Sequence, residues 1–370
     1  MSRISFGVVG AGWRTEFYMR IAAAAPDVFE TPIVVVRNSA KAALFGQQWG
    51  CDVCGAVEDM LSRRKLDFAV TSVPWAPNPD IVKDLVRHGV PVLSETPPAP
   101  DVRALIELWN YVKQHDGRVC VAEQYFLQPY FSAVRRVIDS GRLGVVSQAQ
   151  ISAAHGYHGM SLMRKALGID FENATIFSRS FAAPLVAGPG RTSPPEAEII
   201  GESRQTFFWL DFDGRLAFMD FSGDQYFNWV RGNRVLIRGE RGEIVDHRVA
   251  YLKDFRSPVY LEFRRQQTGG AGNLEGNYLK GIQLGEEMVY ENPMAPARLS
   301  DDEIAIGDLL LGMARYAEGG EPPYPLAEAC QDHYLSLKCE EALANRAEVR
   351  TETQPWSEGQ QHQQPDHMPG

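Results

Sequence analysis

The sequence has no long hydrophobic run and no basic cluster, and each absence excludes a class of protein. No segment approaches the roughly 18 consecutive apolar residues of a membrane-spanning helix. The β-forming residues begin at Ile4, which leaves no room for a cleavable leader. The net charge is −10, and no Lys- or Arg-rich cluster offers a surface for nucleic acid or anionic lipid. We therefore predict a cytoplasmic protein with neither a nucleic-acid partner nor a membrane partner.

Cysteine is also scarce. Five cysteines spread over 370 residues do not form a disulfide framework. Cys51 and Cys54 form a C-x-x-C motif, but this segment is typical of a short strand, whereas a thioredoxin-like redox pair stands at the start of a helix. No second pair or nearby histidine completes a zinc site. We predict no metal site.

The length and composition predict two folded domains. The chain exceeds the roughly 100–200 residues of one domain. Its 44% hydrophobic and 23% charged residues are typical of folded globular proteins. We place the domains at residues 1–123 and 124–350. Residues 351–370 are rich in Gln, His and Pro and are predicted to form a disordered tail.

The opening residues predict a strand, a glycine turn and a helix. Residues 4–9 are β-formers, Gly10 and Gly12 follow them, and a helical pattern continues through Phe17 and Ile21. Gly10 would make the tight turn, and Gly12 would let the backbone approach a pyrophosphate without a Cβ in the way. Thr15 replaces the third glycine of the G-x-G-x-x-G pattern. The motif alone therefore leaves open a glycine turn that binds nothing.

The first half of the chain alternates strands and helices. Strands are predicted at 4–9, 33–36, 51–54, 68–72, 90–93 and 119–122, and further helices at 39–49, 57–64, 78–88 and 101–115. Such alternation predicts a parallel sheet with helices on both faces. Ligands of these sheets bind at the carboxyl ends of the strands, where Glu123 is one of the residues. The predicted cofactor-binding residues are Gly10, Gly12, Trp13, Arg14, Arg37, Asn38, Pro74, Trp75, Glu95, Thr96 and Gln124.

The end of the second strand bears on the choice of cofactor. An Asp or Glu there would hold the ribose 2′-OH of NAD, whereas an arginine suits the 2′-phosphate of NADP. This chain has Val36 at that position, followed by Arg37 and Asn38. We predict that NADP or NAD is the cofactor and favour NADP. The alternative is that Arg37 is an ordinary solvated arginine.

The second half of the chain predicts strands framed by helices. The strands are predicted at 145–153, 206–212, 215–221, 226–230, 234–238 and 243–246, and the helices at 129–140, 156–168, 300–317 and 326–345. Asp213 and Gly214 form a strong hairpin signal. Residues 183–196 and 267–276 are rich in Pro or Gly and are predicted to be loops, the second one at the border of the pocket.

Five short motifs occur in an order that carries a family resemblance. They are GVVGAG at 7–12, VLSETP at 92–97, DSGRLG at 139–144, GYH at 156–158 and IRGERGEI at 237–244. This order resembles that of the Gfo/Idh/MocA oxidoreductases, which include glucose–fructose oxidoreductase and inositol dehydrogenase. The resemblance covers residues 4–350. It implies an α/β Rossmann N-terminal domain and an α+β C-terminal domain with a large, mostly antiparallel open sheet, which commonly mediates homodimers or homotetramers.

The chain departs from the family's pattern at two positions. Family members commonly carry Glu-Lys-Pro where this chain has Glu95-Thr96-Pro97, and an Asp four residues before the motif histidine, where this chain has Ala154. Glu95 matches the motif acid, which would orient the loop or contact the cofactor ribose. A positioned acid or base contributes about 10²–10⁴-fold to a rate. Without both groups, the site must use other residues or perform different chemistry.

His158 is the leading candidate for proton transfer. It stands at the position of the family's motif histidine, and histidine titrates near neutral pH, as a general base for an alcohol requires. Tyr157 and Tyr125 are further catalytic candidates, and His155 could share the role. The alternative is that a histidine at the start of a helix is only a structural hydrogen-bonding residue. Arg164 is interpreted either as a packing or ion-pair residue or as a substrate anchor.

Three functions are compatible with these residues. We favour an NAD(P)-dependent oxidoreductase acting on a hydroxyl or carbonyl of a sugar, cyclitol or related polyol. The second is an enzyme that retains the nicotinamide without net redox change, as in glycoside cleavage or epimerisation. The third is a catalytically deficient nucleotide- or metabolite-binding protein. The glycine turn, Glu95 and His158 favour the first function, whereas the missing lysine and aspartate favour the other two.

Overall fold

The computed structural model describes residues 3–270 and 276–357, and its first sheet is parallel. Its elements are β1 (Phe6–Val9), α1 (Thr15–Ala24), β2 (Ile33–Val35), α2 (Ser39–Trp49), β3 (Val53–Cys54), α3 (Val57–Arg63), β4 (Phe68–Thr71), α4 (Asn78–Arg87), β5 (Val92–Ser94), α5 (Val102–Gln114) and β6 (Val119–Val121). The strand order is β3-β2-β1-β4-β5-β6. The order reverses between β1 and β4, which is where such sheets bind their ligands. The predicted α/β alternation is confirmed, with element ends shifted by one or two residues.

The second sheet is mostly antiparallel and, in the described ranges, has eleven strands. Its order is β16-β15-β14-β13-β12-β11-β7-β10-β9-β8-β17, and the pair β7–β10 is parallel. The elements are α6 (Pro129–Asp139), β7 (Val146–Ser152), α7 (Gly156–Leu167), β8 (Thr175–Val186), β9 (Ile200–Asp211), β10 (Leu216–Ser222), β11 (Arg234–Gly239), β12 (Gly242–Val245), β13 (Arg248–Asp254), β14 (Ser257–Gln267), β15 (Leu279–Leu284), β16 (Glu287–Glu291), α8 (Asp301–Ala317), α9 (Leu326–Asn345) and β17 (Val349–Arg350). The predicted two-part α/β and α+β architecture is confirmed.

One face of this second sheet is covered and the other is open. Helices α6, α7 and α9 pack on the covered face, and residues such as Ile176, Leu210 and Ile237 are buried beneath them. The open face exposes aromatic side chains, among them Phe181 and Tyr260. Helix α8, which the sequence division places with the second domain, packs instead against α1 and the first sheet. The boundary at residue 123 stays a prediction.

Several parts of the second half differ from the sequence predictions. Strands β8 and β13 to β17 were missed, and β9 begins earlier than predicted, at Ile200. The start of the predicted loop 267–276 belongs to β14, and the start of the predicted loop 183–196 belongs to β8. Pro184 is tolerated there because only the first residues of β8 pair with β17, so that the rest of this edge needs no N–H donor. The strand predicted at 226–230 is also wrong. A 3₁₀ turn occupies Gly223–Tyr226, and Ser222 and Gln225 form a capping box that stabilises this turn.

The C-terminal segment is packed as far as the structure describes it. Trp356 is fully buried, and its indole Nε1 donates a hydrogen bond to Gln331 Oε1 at 2.8 Å. The expectation of disorder is therefore wrong for residues 351–357, because an indole removes a large apolar area from water there. Residues 358–370, and residues 271–275 of the predicted loop 267–276, lie outside the described residues. In the described part of the chain, no helix is both long enough and apolar enough to span a bilayer.

The two glycines after β1 serve different purposes. Gly10 has a φ of +117°, and a Cβ there would lie 2.0 Å from the carbonyl oxygen of Ser72. A side chain at Gly12 would meet no atom within 4 Å. The turn from β1 into α1 is further held by Thr15, whose hydroxyl donates to the carbonyl oxygen of Gly10 at 3.1 Å. Gly10 is thus required by the backbone, whereas Gly12 leaves space in front of the helix.

This difference predicts unequal effects of substitution on stability. We expect Gly10→Ala to lower the free energy of unfolding by at least about 2 kcal/mol, because alanine is strained at this φ and its Cβ collides with Ser72. Gly12→Ala should change it by no more than about 0.5 kcal/mol. Urea denaturation of both variants measures the difference. Equal losses in the two variants would contradict this assignment.

Candidate active site

A large cleft opens at the carboxyl ends of the parallel strands, between the two sheets. Its volume is about 1530 Å³, above the roughly 300–1,000 Å³ typical of a single ligand. Every residue assigned to the site from the sequence lines this cleft. A second concavity, of about 750 Å³, lies on the open face of β12 to β15 and holds none of these residues. The structure therefore brings the predicted residues together, and their individual roles stay predictions.

The glycine turn at one end of the cleft has the shape that a pyrophosphate needs. Gly12 faces open space at the start of α1, and no side chain of the described residues caps this helix end. A helix N-terminus carries partial positive charge and unpaired N–H donors, which favour an anion. A dinucleotide therefore fits the residues present at this end.

The end of β2 carries positive charge and no acid. Val36 is buried, and Arg37 is exposed at the edge of the cleft. Asn38 caps α2, because its Oδ1 accepts a hydrogen bond from the backbone N–H of Lys41 at 2.9 Å. Lys41 lines the same edge as Arg37 and was missed by the sequence analysis, although its position in the first turn of α2 is a usable signal.

Glu95 is held by two groups from α1 and the turn before it. It accepts a hydrogen bond from Arg14 Nε at 2.7 Å and another from the Tyr18 hydroxyl. These contacts fix the loop after β5, which supports the loop-orienting role for Glu95. The neighbouring Thr96 lines the cleft where the family pattern has lysine, so no ammonium group stands at this position.

Glu123 and His158 form a buried pair at the base of the cleft. Glu123 follows β6 and is 2% exposed, and His158 lies in the first turn of α7 and is 6% exposed. Glu123 Oε2 lies 2.5 Å from His158 Nδ1. The sequence analysis named Glu123 as a strand-end residue but gave it no role. Its position directly after an apolar strand was the available signal. In this chain, a carboxyl group that follows β6 therefore contacts the histidine, while Ala154 occupies the usual aspartate position.

Burial shifts both members of this pair toward their neutral forms. It raises the pKa of Glu123 to about 8, against weaker opposing effects of the Tyr125 backbone N–H and of Arg14. It also lowers the pKa of His158 to about 3, and the nearby positive charge of Arg14 adds to this effect. Because the two groups are in contact, the pair titrates as a unit. At neutral pH, the Glu123 carboxyl donates to Nδ1, and loss of one proton leaves Glu123 accepting from Nδ1–H with Nε2 free.

Aromatic side chains surround His158. The ring centroids of Tyr125 and Tyr157 each lie 4.4 Å from that of His158. Burial raises the pKa of both phenols above the ordinary value, which makes them weaker acids and keeps them as neutral hydrogen-bond donors. Tyr226, which the sequence analysis placed in a strand, contacts His155 Nδ1 through its hydroxyl and lies 3.5 Å from the Tyr125 hydroxyl. Tyr226 therefore extends the polar wall of the cleft.

The remaining predicted residues divide between the mouth and the base of the cleft. Trp13 and Trp75 are 55% and 51% exposed, and Pro74 lies beside Trp75. Gln124 is 4% exposed, and its Oε1 has no hydrogen-bond partner within the ranges that the structure describes. Such an oxygen is costly to bury alone and is available to a ligand donor. Gln124 thus lies where a bound amide or hydroxyl would satisfy it.

Arg164 belongs to the interior, not to the cleft. It is 1% exposed, and its guanidinium pairs with Asp332 at 2.7 Å and with Glu328 at 3.1 Å. The ion-pair interpretation of Arg164 is therefore the one that the structure supports. The network joins α7 to α9 and positions the helix that carries His158.

The C-x-x-C pair has no feature of a reactive dithiol. Cys54 is buried, and its Sγ lies 3.8 Å from the Val34 carbonyl oxygen. Burial raises the pKa of both Cys51 and Cys54, whereas reactive thiols have a lowered pKa. Over residues 3–270 and 276–357, no group of three or more His, Cys, Asp or Glu residues is arranged to hold a metal ion.

The parallel sheet, the glycine turn and the open second sheet define a two-domain protein of the dinucleotide-binding class. Residues 4–123 match the family model described as "Oxidoreductase family, NAD-binding Rossmann fold", named GFO_IDH_MocA. This match to residues 4–123 confirms the resemblance to the Gfo/Idh/MocA family that was drawn from the sequence.

Sequence similarity to a curated relative is limited to part of the chain. Inositol 2-dehydrogenase of Rhizobium meliloti (strain 1021) is 23% identical over 150 residues, which are 40% of this chain and 45% of the relative. The match thus spans less than half of the length of that relative.

Solved structures share the fold over almost the whole chain. An oxidoreductase from Agrobacterium radiobacter, in complex with NAD+, L-tartaric acid and magnesium, has a TM-score of 0.65 at 16% identity and covers 94% of this chain and 98% of its own. Scyllo-inositol dehydrogenase from Lactobacillus casei has a TM-score of 0.64 at 14% identity, with 94% and 98% covered. The WlbA dehydrogenase from Bordetella pertussis, with NADH and UDP-GlcNAcA, has a TM-score of 0.62 at 15% identity, with 95% and 100% covered.

The buried pair predicts an unusual pH dependence of stability. The pKa of Glu123 is about 8 in the folded protein and roughly 4.3 in an unfolded chain. The stabilising contribution of the protonated carboxyl is therefore complete below the unfolded value and is lost as pH rises through about 8. Glutamine does not titrate, so the Tm of Glu123→Gln relative to wild type should increase between about pH 5 and pH 9.

Thermal unfolding at a series of pH values measures this difference. The contribution of His158 to stability decreases as pH falls. Because His158 is present in both proteins, this contribution largely cancels in the difference between their Tm values. The exposed Glu340 of α9 provides the matched control for replacing a glutamate with glutamine. A Tm difference for Glu123→Gln that is the same at every pH would show that the carboxyl is not protonated in the folded state.

Proposed function

We propose that this protein is an NAD(P)-dependent oxidoreductase that acts on a hydroxyl or carbonyl of a sugar, cyclitol or related polyol. The observation that carries the proposal is the Glu123–His158 pair, at the base of the same cleft that holds the glycine turn. The family match of residues 4–123 supports the cofactor class. The names of the inositol dehydrogenases among the similar proteins support a polyol substrate.

In the proposed reaction, His158 carries the proton. Nδ1 is committed to Glu123, which leaves Nε2 to accept the proton of the substrate hydroxyl during oxidation, or to donate it to a carbonyl oxygen during reduction. Glu123 fixes the ring orientation and, as a carboxylate, stabilises the imidazolium that forms. A nicotinamide dinucleotide whose pyrophosphate lies along Gly10 and Gly12 would supply the hydride acceptor or donor.

Glu123 therefore takes the catalytic role of the aspartate that the family pattern has at the position of Ala154. The missing lysine of the Glu-Lys-Pro motif is replaced by neutral groups. The Tyr157 phenol lines the cleft beside His158, and Thr96 lines the same cleft. Each can donate a hydrogen bond to a substrate oxygen. The site is thus complete for proton transfer with one titrating pair.

Two other functions remain open for the same fold. An enzyme that ends without net redox change would use the same pair and the same cofactor, and it would release no NAD(P)H. A catalytically deficient binding protein would bind the cofactor and turn nothing over. The Glu123–His158 contact favours the two catalytic functions over the third, because a buried acid–histidine contact lining a cleft is typical of a functional site.

The first prediction of this proposal concerns turnover. Spectrophotometric screening of sugars and cyclitols should detect NAD(P)H formation, and His158→Ala should lower kcat by about 10²–10⁴-fold without weakening cofactor binding.

Oxidation should become faster as pH rises through about 8, because loss of the shared proton frees Nε2.

The matched control is Glu340→Gln, which lies on the exposed side of α9. Product formation without NAD(P)H accumulation would favour the function without net redox change. A His158→Ala variant as active as wild type would contradict the role of His158.

The second prediction concerns the cofactor, for which we propose a preference for NADP over NAD. Arg37 after β2 and Lys41 in the first turn of α2 would pair with a 2′-phosphate, and the buried Val36 offers no acid for a free ribose. Calorimetric titration should give the tighter dissociation constant for NADPH. Arg37→Gln should weaken NADPH binding about 10-fold or more and leave NADH binding nearly unchanged.

Gly12→Val tests the position of the nucleotide in the same titration. Its side chain would enter the space in front of α1 without touching protein atoms, so the variant should fold normally and lose the binding of both cofactors. Full binding by Gly12→Val would contradict the proposed site, and equal loss of NADH and NADPH binding in Arg37→Gln would contradict the NADP preference.

The assembly also stays a proposal. The open face of the second sheet exposes Phe177, Phe181 and Trp209 on the neighbouring strands β8 and β9, and contiguous exposed aromatic residues are typical of a protein contact surface. This face supports a homodimer or homotetramer, as the resemblance implies.

A further inference from the structure

The segment between β8 and β9 crosses from the second sheet to the glycine turn of the first. Arg191, in this segment, lies with its guanidinium carbon 4.2 Å from the ring centroid of Trp13 and 5.5 Å from that of Phe227. Trp13 directly follows Gly12, and Phe227 directly follows Tyr226 at the catalytic end of the cleft. Arg191 therefore connects the two ends of the cleft.

The position of Arg191 is built into the segment. The segment 187–199 is closed by a hydrogen bond from the Ala187 N–H to the Ile199 carbonyl oxygen at 2.8 Å, and a turn from Gly190 to Ser193 presents the arginine. A Cβ at Gly188 would lie 2.6 Å from the side chain of Asn228, so the segment packs closely against the neighbouring loop. Planar stacking on aromatic rings further restricts the guanidinium.

The charge of Arg191 has no protein partner in the described residues. No carboxylate of residues 3–270 or 276–357 lies within ion-pair distance of it, whereas Arg14, on the same cleft, is paired with Glu95 at 2.7 Å. A stacked guanidinium keeps its N–H edges free, and these edges match the oxygens of a phosphate or carboxylate. Arg191 is thus a preorganised cation that lines the cleft with its donors available.

We propose that Arg191 binds an anionic oxygen group of a ligand held over the glycine turn. Two sources present this chemistry in the cleft: the pyrophosphate of a dinucleotide, and the carboxylate or phosphate of an acidic substrate. The first source rests on the proposed function, and the second does not require it. In either case, the segment 187–199 covers the ligand, and its Arg191 contacts the negatively charged group.

The test uses Arg191→Gln, with Arg204→Gln as the matched control. Arg204 is an exposed arginine on β9 that pairs only with Glu202 among the described residues, at 3.1 Å. Calorimetric titrations with NADPH, NADH and ADP examine the pyrophosphate. Titrations with L-tartrate and D-glucuronate, against uncharged myo-inositol, examine an acidic substrate. Each titration is made on the full chain, with thermal unfolding as the check on folding.

The expected result is a loss of affinity on the order of 10- to 100-fold in Arg191→Gln for one set of anions. If the pyrophosphate is the source, NADPH, NADH and ADP all bind more weakly. If an acidic substrate is the source, the three nucleotides bind as before and tartrate or glucuronate binding falls, while myo-inositol is unaffected. Arg204→Gln should behave as wild type in every titration.

The proposal is overturned if Arg191→Gln binds all of these ligands as tightly as wild type and Arg204→Gln do. A wild-type protein that binds no nucleotide contradicts the proposed function instead. The titrations with tartrate and glucuronate then decide the role of Arg191 separately. Weaker binding of either acid in Arg191→Gln supports the proposal, and unchanged or absent binding of both acids overturns it.

Discussion

Glu123 and His158 lie against each other with almost no exposure to water, and the rest of the site depends on this contact. A carboxyl group and an imidazole in such surroundings cannot both exist as free ions at an acceptable cost. They share protons, and burial shifts the pKa of each toward its neutral form. The contact thus turns two residues with different ordinary pKa values into one titrating unit.

The contact requires that two distant parts of the fold meet. Glu123 stands at the end of the parallel sheet, and His158 stands on a helix of the second unit. That helix is fixed from below by the buried network of Arg164, Asp332 and Glu328, which joins α7 to α9. Removing one partner from such a network typically costs about 3–5 kcal/mol. The geometry of the pair is therefore maintained by packing well outside the cleft.

The sequence predicted the layout of the first sheet because apolar strands and helix signals alternate in short, regular steps. It also placed the cleft correctly, since the carboxyl ends of parallel strands meet at one edge. It could not assign a role to Glu123, because the partner of this carboxyl is 35 residues away in the chain. Tyr226 was missed because Ser222 and Gln225 cap a tight turn where the alternation of residues indicated a strand. Arg191 was missed because a Pro- and Gly-rich loop gives no sequence signal for what its side chains contact.

The most direct test of the Glu123–His158 pair is proton NMR of the exchangeable protons, with the resonance of the pair assigned by comparison with His158→Ala. A short hydrogen bond between Glu123 and Nδ1 predicts a strongly downfield exchangeable proton at neutral pH that is absent from both His158→Ala and Glu123→Gln. A spectrum without this resonance, or one in which Glu123→Gln leaves it unchanged, would contradict the account of the site.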